Sequence, residues 1–450
     1  MGILKLQLHA EERTGDFLES SAGGFTIDLS DQRAYSEPAP VLTYNQMKVF
    51  KRGRVHFNQR WVAFPLPAGD WGLGPTFVAD RCAARHLSGG RGNDPASEKD
   101  QLLSILVRIS IPGEGKNGAP KLHPNYGDQL QNAGLVGKEK MEDRDFSDGQ
   151  VLGERVKPEA KLYVNWIIQK QHYTDGEEIE LRKPELNVMD LIFGPLGDEV
   201  MYSLRIAQPL YGLGLLEAVS ENTIIKLAEK QKKIGFNGRP NYVWDSINQK
   251  TALGRFGWKA NVATIKEQTA LAFLGDLGVT TSLFPQENCP LIQVDCAAQP
   301  PGNQPELIDI NWVELEFWTQ ALAVPKRRNV RDRRYIDGER LFQEAKCAVC
   351  HTPVLKTGEQ FKKLPQLANQ TFHAYTDLLL HDMGEGLADN RPDFQAGGRD
   401  LRTPPLWGGG LSRQVSGSHL MLHYGRARNY EEAILWHGGE ADVSRKFLKI

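Results

Sequence analysis

The sequence predicts a mainly α, loop-rich fold with little sheet, divided into two domains, and three observations carry that expectation. Glycine and proline are abundant, 44 and 25 of 450 residues, and they are scattered rather than gathered in one tract. Such punctuation suits short helices joined by irregular chain. One segment has clear helical spacing: Ile308, Ile310, Val313, Phe317 and Leu322 recur through residues 307–323, and Pro325 supplies a stop. Extended runs of strand character draw little support, so sheet is expected to be sparse.

Directly after that helix comes a basic stretch, residues 326–334. We read it as the linker between a large domain, 1–325, and a small one, 326–450, with a solvated helix end as the simpler alternative. Two segments repeat across this boundary. Phe77 precedes Cys82 by five residues as Phe342 precedes Cys347, and LRIAQPLYGLGL from Leu204 parallels LRTPPLWGGGL from Leu401. Each half therefore reads as one copy of a duplicated unit.

Bulk composition narrows the classes. A chain with 40% hydrophobic residues can build ordinary packed cores, and a net charge of −2 gives no field that selects nucleic acid or an anionic membrane. No run of some 18 apolar residues is present, so no transmembrane segment is expected. The opening residues, MGILKLQLHAEERTGDF, lack the apolar core of a secretory leader, which taken literally suggests the cytosol. The cysteines suggest otherwise, and we expect an oxidising compartment and a leader removed or replaced.

The strongest motif is CAVCH, Cys347 to His351. Two thiols at this spacing can add to the vinyl groups of a haem while the adjacent histidine reaches the iron. Zinc is the usual competitor, but it would want a second cysteine or histidine pair nearby, and none follows. The first copy is altered: Cys82, Ala83, Ala84, Arg85, His86 carries arginine where the second cysteine belongs, leaving one possible thioether. Alone, CAARH would pass for a core cysteine and a surface histidine; the repeat makes it a candidate haem site. Cys289 and Cys296 bracket PLIQVD, too wide for haem attachment, and read as a small disulfide-closed loop ahead of a metal site.

Beyond these motifs, LRIAQPLYGLGLLEA, GRPN, GRFGWKA, LFPQENC, CAVCHTP, YTDLLLHDMGEGLAD, RTPPLWGGG, GRAR and EEAILWHGGEA resemble the di-haem thiol oxidoreductases, within the wider di-haem cytochrome c peroxidase-like superfamily. The resemblance covers most of residues 42–440. It implies two cytochrome c-like domains, two c-type haems and a calcium ion as cofactors, a small redox protein as electron donor, and peroxide or dioxygen as substrate. With haem attachment outside the bacterial cytoplasm, it also implies a periplasmic location.

In the peroxidases of that superfamily a histidine-aspartate-glycine turn is followed, fourteen residues after the histidine, by a haem ligand. Here His423, Tyr424 and Gly425 occupy the turn, and fourteen further on is His437. By this resemblance His351 and His437 ligate the second iron, with His381 and Met383 as rivals. Two nitrogen ligands saturate an iron, so that haem would relay electrons and the first, on His86, would react. His123 and His172 stand as remote candidates for its other face. Peroxide cleavage needs an acid-base group and a cation. Glu217 is the candidate base, while Arg205 and Arg402, at the heads of the repeated LR segments, could pair with haem propionates. Alternative readings are an electron-transfer cytochrome and a di-haem oxygenase or protein-modifying enzyme. The sequence departs from the family at Arg85, at Tyr424 and at a chain end, Ile450, where a closing helix is usual.

Overall fold

A computed structural model describes residues 19–63, 70–135 and 156–448; the opening segment and the chain end discussed above lie outside them. The mainly α expectation is corrected. The described residues are 30% helix and 21% strand, the strands forming several small sheets.

Strand β1 (Ile105–Glu114) alternates inward and outward, with Ile105, Val107 and Ile109 buried. Strands β2 (Lys161–His172) and β3 (Glu178–Met189) form a long antiparallel hairpin in register from Lys161 opposite Met189 to His172 opposite Glu178. Its base alternates, with Leu162 and Val164 turned into the core; its outer half carries Ile167 and Ile168 partly in solvent. This alternation escapes a helix-biased reading because it lasts only a few residues before charged side chains take both faces. Strand β4 (Met201–Ile206) runs antiparallel beside β1, Ile105 opposite Ile206.

Helix α1 (Tyr44–Asn58) starts at a capping box in which Thr43 and Gln46 satisfy each other's backbone N–H groups. Helices α2 (Leu213–Glu217) and α3 (Ile265–Ala272) are short, and α4 (Asp309–Gln320) is the helix foreseen at 307–323. The face is different from the one expected. Ile308, Ile310 and Val313 are partly exposed, whereas Trp312, Leu315 and Trp318 are buried. The indoles offer more apolar area than the aliphatic residues, and burying them decides the rotation of the helix. Helix α1 packs closely on α4: a Cβ at Gly53 would lie 2.2 Å from the Glu314 carbonyl oxygen, and Phe57 stacks on Trp318 at 4.3 Å.

One hydrophobic cluster mixes residues between Ala22 and Val324 with residues between Leu355 and Val415. A short parallel pairing sets Thr26 against Val324 and Ile27 against Pro325. The chain on both sides of residue 325 thus shares a core. Beyond it lie α5 (Arg333–Glu344), which leads into the CAVCH motif, and α6 (Tyr430–Leu435), which leads to His437. The repeated LR segments become β4 and a short strand, β5 (Asp400–Arg402). Trp258 joins them: its indole donates to the Ile206 carbonyl at 2.9 Å, and its own carbonyl accepts from Arg402 N at 2.8 Å. Among the described residues no helix is long and apolar enough to cross a membrane.

Candidate functional site

A cavity of about 620 Å³ lies where these elements meet, and its walls include Cys347, Cys350, His351 and His437. Neither cysteine is disulfide-bonded, and both are half-buried at the cavity wall. The motif folds as a tight turn, and the His351 backbone N–H donates to the Cys347 carbonyl at 2.9 Å, so both thiols and the imidazole belong to one turn.

The histidines share a hydrogen-bonding arrangement. His351 Nδ1 bonds the Tyr375 carbonyl at 3.0 Å, His437 Nδ1 the Ala433 carbonyl at 2.6 Å, and His86 Nδ1 the Gln208 carbonyl at 2.7 Å. A carbonyl only accepts, so each Nδ1 carries the proton and each Nε2 keeps its lone pair. This is the tautomer and the outer hydrogen bond that a histidine needs to bind a metal through Nε2. Burial also keeps the rings neutral. It pushes His351 down to about 4, with the nearby His437 adding, pushes His86 to about 4, helped by Arg85, and lowers His437.

The rivals fare differently. His381 lines the cavity, but its Nε2 bonds Asp377 at 2.9 Å and its Nδ1 bonds Glu440 at 3.3 Å. Carboxylates only accept, so both nitrogens are protonated and no lone pair remains. Burial opposes that charge, yet Asp377 and its hydrogen bond hold the ring well above the usual histidine range. Cys350 Sγ lies 3.6 Å from His381 Nδ1, so the second attachment thiol sits beside a cation. Met383 also lines the cavity. His123 spends both nitrogens, on the Leu196 carbonyl and Asn125 N–H, and His172 is exposed on the β2–β3 hairpin.

At the first site the position of the missing cysteine has a structural explanation. Arg85, 3% exposed, is ion-paired with Asp276. Cys82 lies beside this pair, and burial with the Asp276 charge pushes its thiol up to about 12. Neither Cys82 nor His86 lines the large cavity, but their surroundings reach it, since Arg91 and Pro209, next to Gln208, do.

Of the three remaining candidates, Arg402 lines the cavity. It is 4% exposed, bonds only the carbonyls of Gly257 and Thr403 among described partners, and no carboxylate pairs with it. Arg205 is instead committed to Asp393 and to Ser203 Oγ. Glu217 lies away from the cavity. One oxygen accepts from Ile265 N at 2.8 Å, at the start of α3, and the other from Gln320 Nε2 at 2.7 Å, so its geometry is that of a buried helix tie. Cys289 and Cys296 are disulfide-bonded, Cα atoms 5.7 Å apart, and Gln293 within that loop bonds buried Glu159.

A half-buried cysteine-histidine turn, a second histidine with a free Nε2 and Arg402 without a carboxylate partner, all lining one cavity, fit a covalently held, propionate-bearing haem. The family model described as "Di-haem oxidoreductase, putative peroxidase" matches residues 18–450. The chain belongs to that family. Comparisons with curated proteins and with solved structures found no match. Membership supports two haems and a peroxidase-like oxidoreductase role for this family member.

Proposed function

We propose that this di-haem oxidoreductase is a periplasmic c-type enzyme that reduces peroxide with electrons from a small redox protein. The C-terminal haem would be held by Cys347 and Cys350, with His351 and His437 as iron ligands, and the first by Cys82 with His86. The observation that carries the reading is the shared arrangement of His86, His351 and His437, each with Nδ1 spent on a carbonyl and Nε2 left for a metal.

Bound haem supplies the redox chemistry. The protein supplies neutral imidazoles at defined positions, a largely apolar chamber, and the Arg402 guanidinium for a propionate. His351 and His437 together would saturate the second iron and suit it to electron relay, which would leave the reaction to the first.

Mass spectrometry of the denatured chain should show two haem increments, one of them lost in Cys82→Ala. The ferric protein should combine a low-spin component with a high-spin or five-coordinate one. A single increment retained in Cys82→Ala would remove the first site, and a wholly low-spin pair inert to peroxide would make the protein an electron carrier.

A further inference from the structure

His423 is 1% exposed and lines the cavity, and neither ring nitrogen makes a hydrogen bond of good geometry, the Leu387 carbonyl acting on the ring only as a weak, poorly aligned acceptor. Leaving a buried polar group unpaired normally costs about 1–3 kcal/mol, so such a group invites a functional explanation. Burial drives this imidazole well below its ordinary range; the neighbouring charges of Arg426, Lys259 and Arg205 add to that, and the Leu387 carbonyl only partly opposes it. The ring is a neutral base on the wall of a largely apolar chamber.

Arg91 lines the same chamber. Its guanidinium lies over the Trp258 ring at 5.2 Å, and its Nη1 donates to the carbonyl of Leu422, the residue before His423, at 3.1 Å. Among the described residues no carboxylate pairs with it, the titratable groups acting on it being the tyrosines Tyr211, Tyr430 and Tyr35. Trp258 is the shared reference point, since its ring also lies 6.3 Å from that of His423. A base and an unpaired cation thus stand on one wall. That wall is contributed by the chain just after His86, by Trp258 and by the segment leading to α6.

We propose that His423 and Arg91, on the chamber wall built by the chain just after His86, are the acid-base group and the polarising cation for peroxide cleavage at the first haem, the first of these being the role for which Glu217 is wrongly placed. This rests on the peroxidase reading above. The reaction is H2O2 + 2 e⁻ + 2 H⁺ → 2 H2O. The O–O bond breaks, the reduced haem pair gives the two electrons, the donor protein restores them, and solvent supplies the two protons. His423 takes the proton from one peroxide oxygen and hands it to the other, which leaves as water. Arg91 stabilises the negative charge that develops as the bond lengthens.

The test uses the haem-loaded full chain and two readouts: stopped-flow reaction of the reduced protein with hydrogen peroxide, and equilibrium binding of potassium cyanide near pH 7. Cyanide enters as the protonated acid and needs a base to accept its proton, so its affinity reports His423 without turnover. His423→Leu should slow peroxide reduction about a hundredfold or more and weaken cyanide binding at least about tenfold, with the resting ferric spectrum unchanged. Arg91→Leu should slow the reaction while leaving that spectrum intact. If His423→Leu fails to load two haems, His423→Gln, which keeps a polar side chain of similar reach but cannot transfer the proton as a base, decides the matter. Parent-like rates and affinity in these variants would overturn the proposal and leave the peroxidase reading standing. A switch of the ferric protein to high spin would also overturn it, by making His423 an iron ligand. A parent protein inert to peroxide would bring down both.

Discussion

Restoring a cysteine at position 85 would complete the first CxxCH motif, and the structure predicts that the restoration weakens the protein. The Arg85 side chain is 3% exposed and that of Asp276 is 14% exposed, so the pair is largely screened from water. In Arg85→Cys the carboxylate keeps Gln129 Nε2, at 3.1 Å, but loses its counter-charge. Removing one partner of a buried pair costs about 3–5 kcal/mol, and the residual exposure of Asp276 puts the expectation near the lower figure, about 3 kcal/mol. Urea unfolding of the haem-loaded protein, followed by haem absorbance and far-UV circular dichroism, would read this as a lower midpoint. Asp276→Ala should be destabilised similarly, and the double variant should recover at least about 1 kcal/mol relative to the sum of the singles. Strictly additive losses would refute the idea that Arg85 stands there to hold Asp276.

Other outcomes follow from the same geometry. His437→Gly should convert the second haem from low to high spin by magnetic circular dichroism, whereas His381→Gln should leave its ligation intact, because His381 has no lone pair to give. Glu159 is buried and its carboxyl is pushed up to about 8 by that burial. A folded pKa above the unfolded one favours the folded state at low pH, so this contribution is full below about 4.5 and is lost as pH rises through about 8. Glu159→Gln should therefore flatten the decline of the urea midpoint between about pH 5 and 8, and a parallel decline would count against the shift. Opening the Cys289–Cys296 loop by a double serine substitution should cost about 2–3 kcal/mol from chain entropy, read by the same unfolding assay.

Much of the site was legible and less of the fold. CAVCH is legible because its chemistry depends on local spacing, and one turn of chain delivers all three groups. The α4 helix was legible as a period, but not its buried face, because four aliphatic residues and Phe317 align as well as the indoles and only packing against Phe57 and Gly53 decides. The β2–β3 hairpin was missed because its alternation fades after Trp166. Glu217 looked reactive in sequence. Its neighbours Ile265 and Gln320, which neutralise that promise, are 48 and 103 residues away. Arg91 and the bare ring of His423 carried no local signal at all. Being unpaired is a property of surroundings, and a linear string holds no record of which partners fail to arrive.

The dipeptide Trp258–Lys259 has a mechanical meaning. Trp258 bonds a backbone group in each repeated strand, and the adjacent Lys259, with its side chain fully enclosed, grips Asp389 and the carbonyls of Arg391 and Gly397. To swing one repeat against the other, these bonds would have to break together, each contributing about 0.5–1.5 kcal/mol net and more for those to the ammonium. The seam is therefore a weld rather than a hinge. The distance between the two repeated strands is a fixed dimension of the molecule.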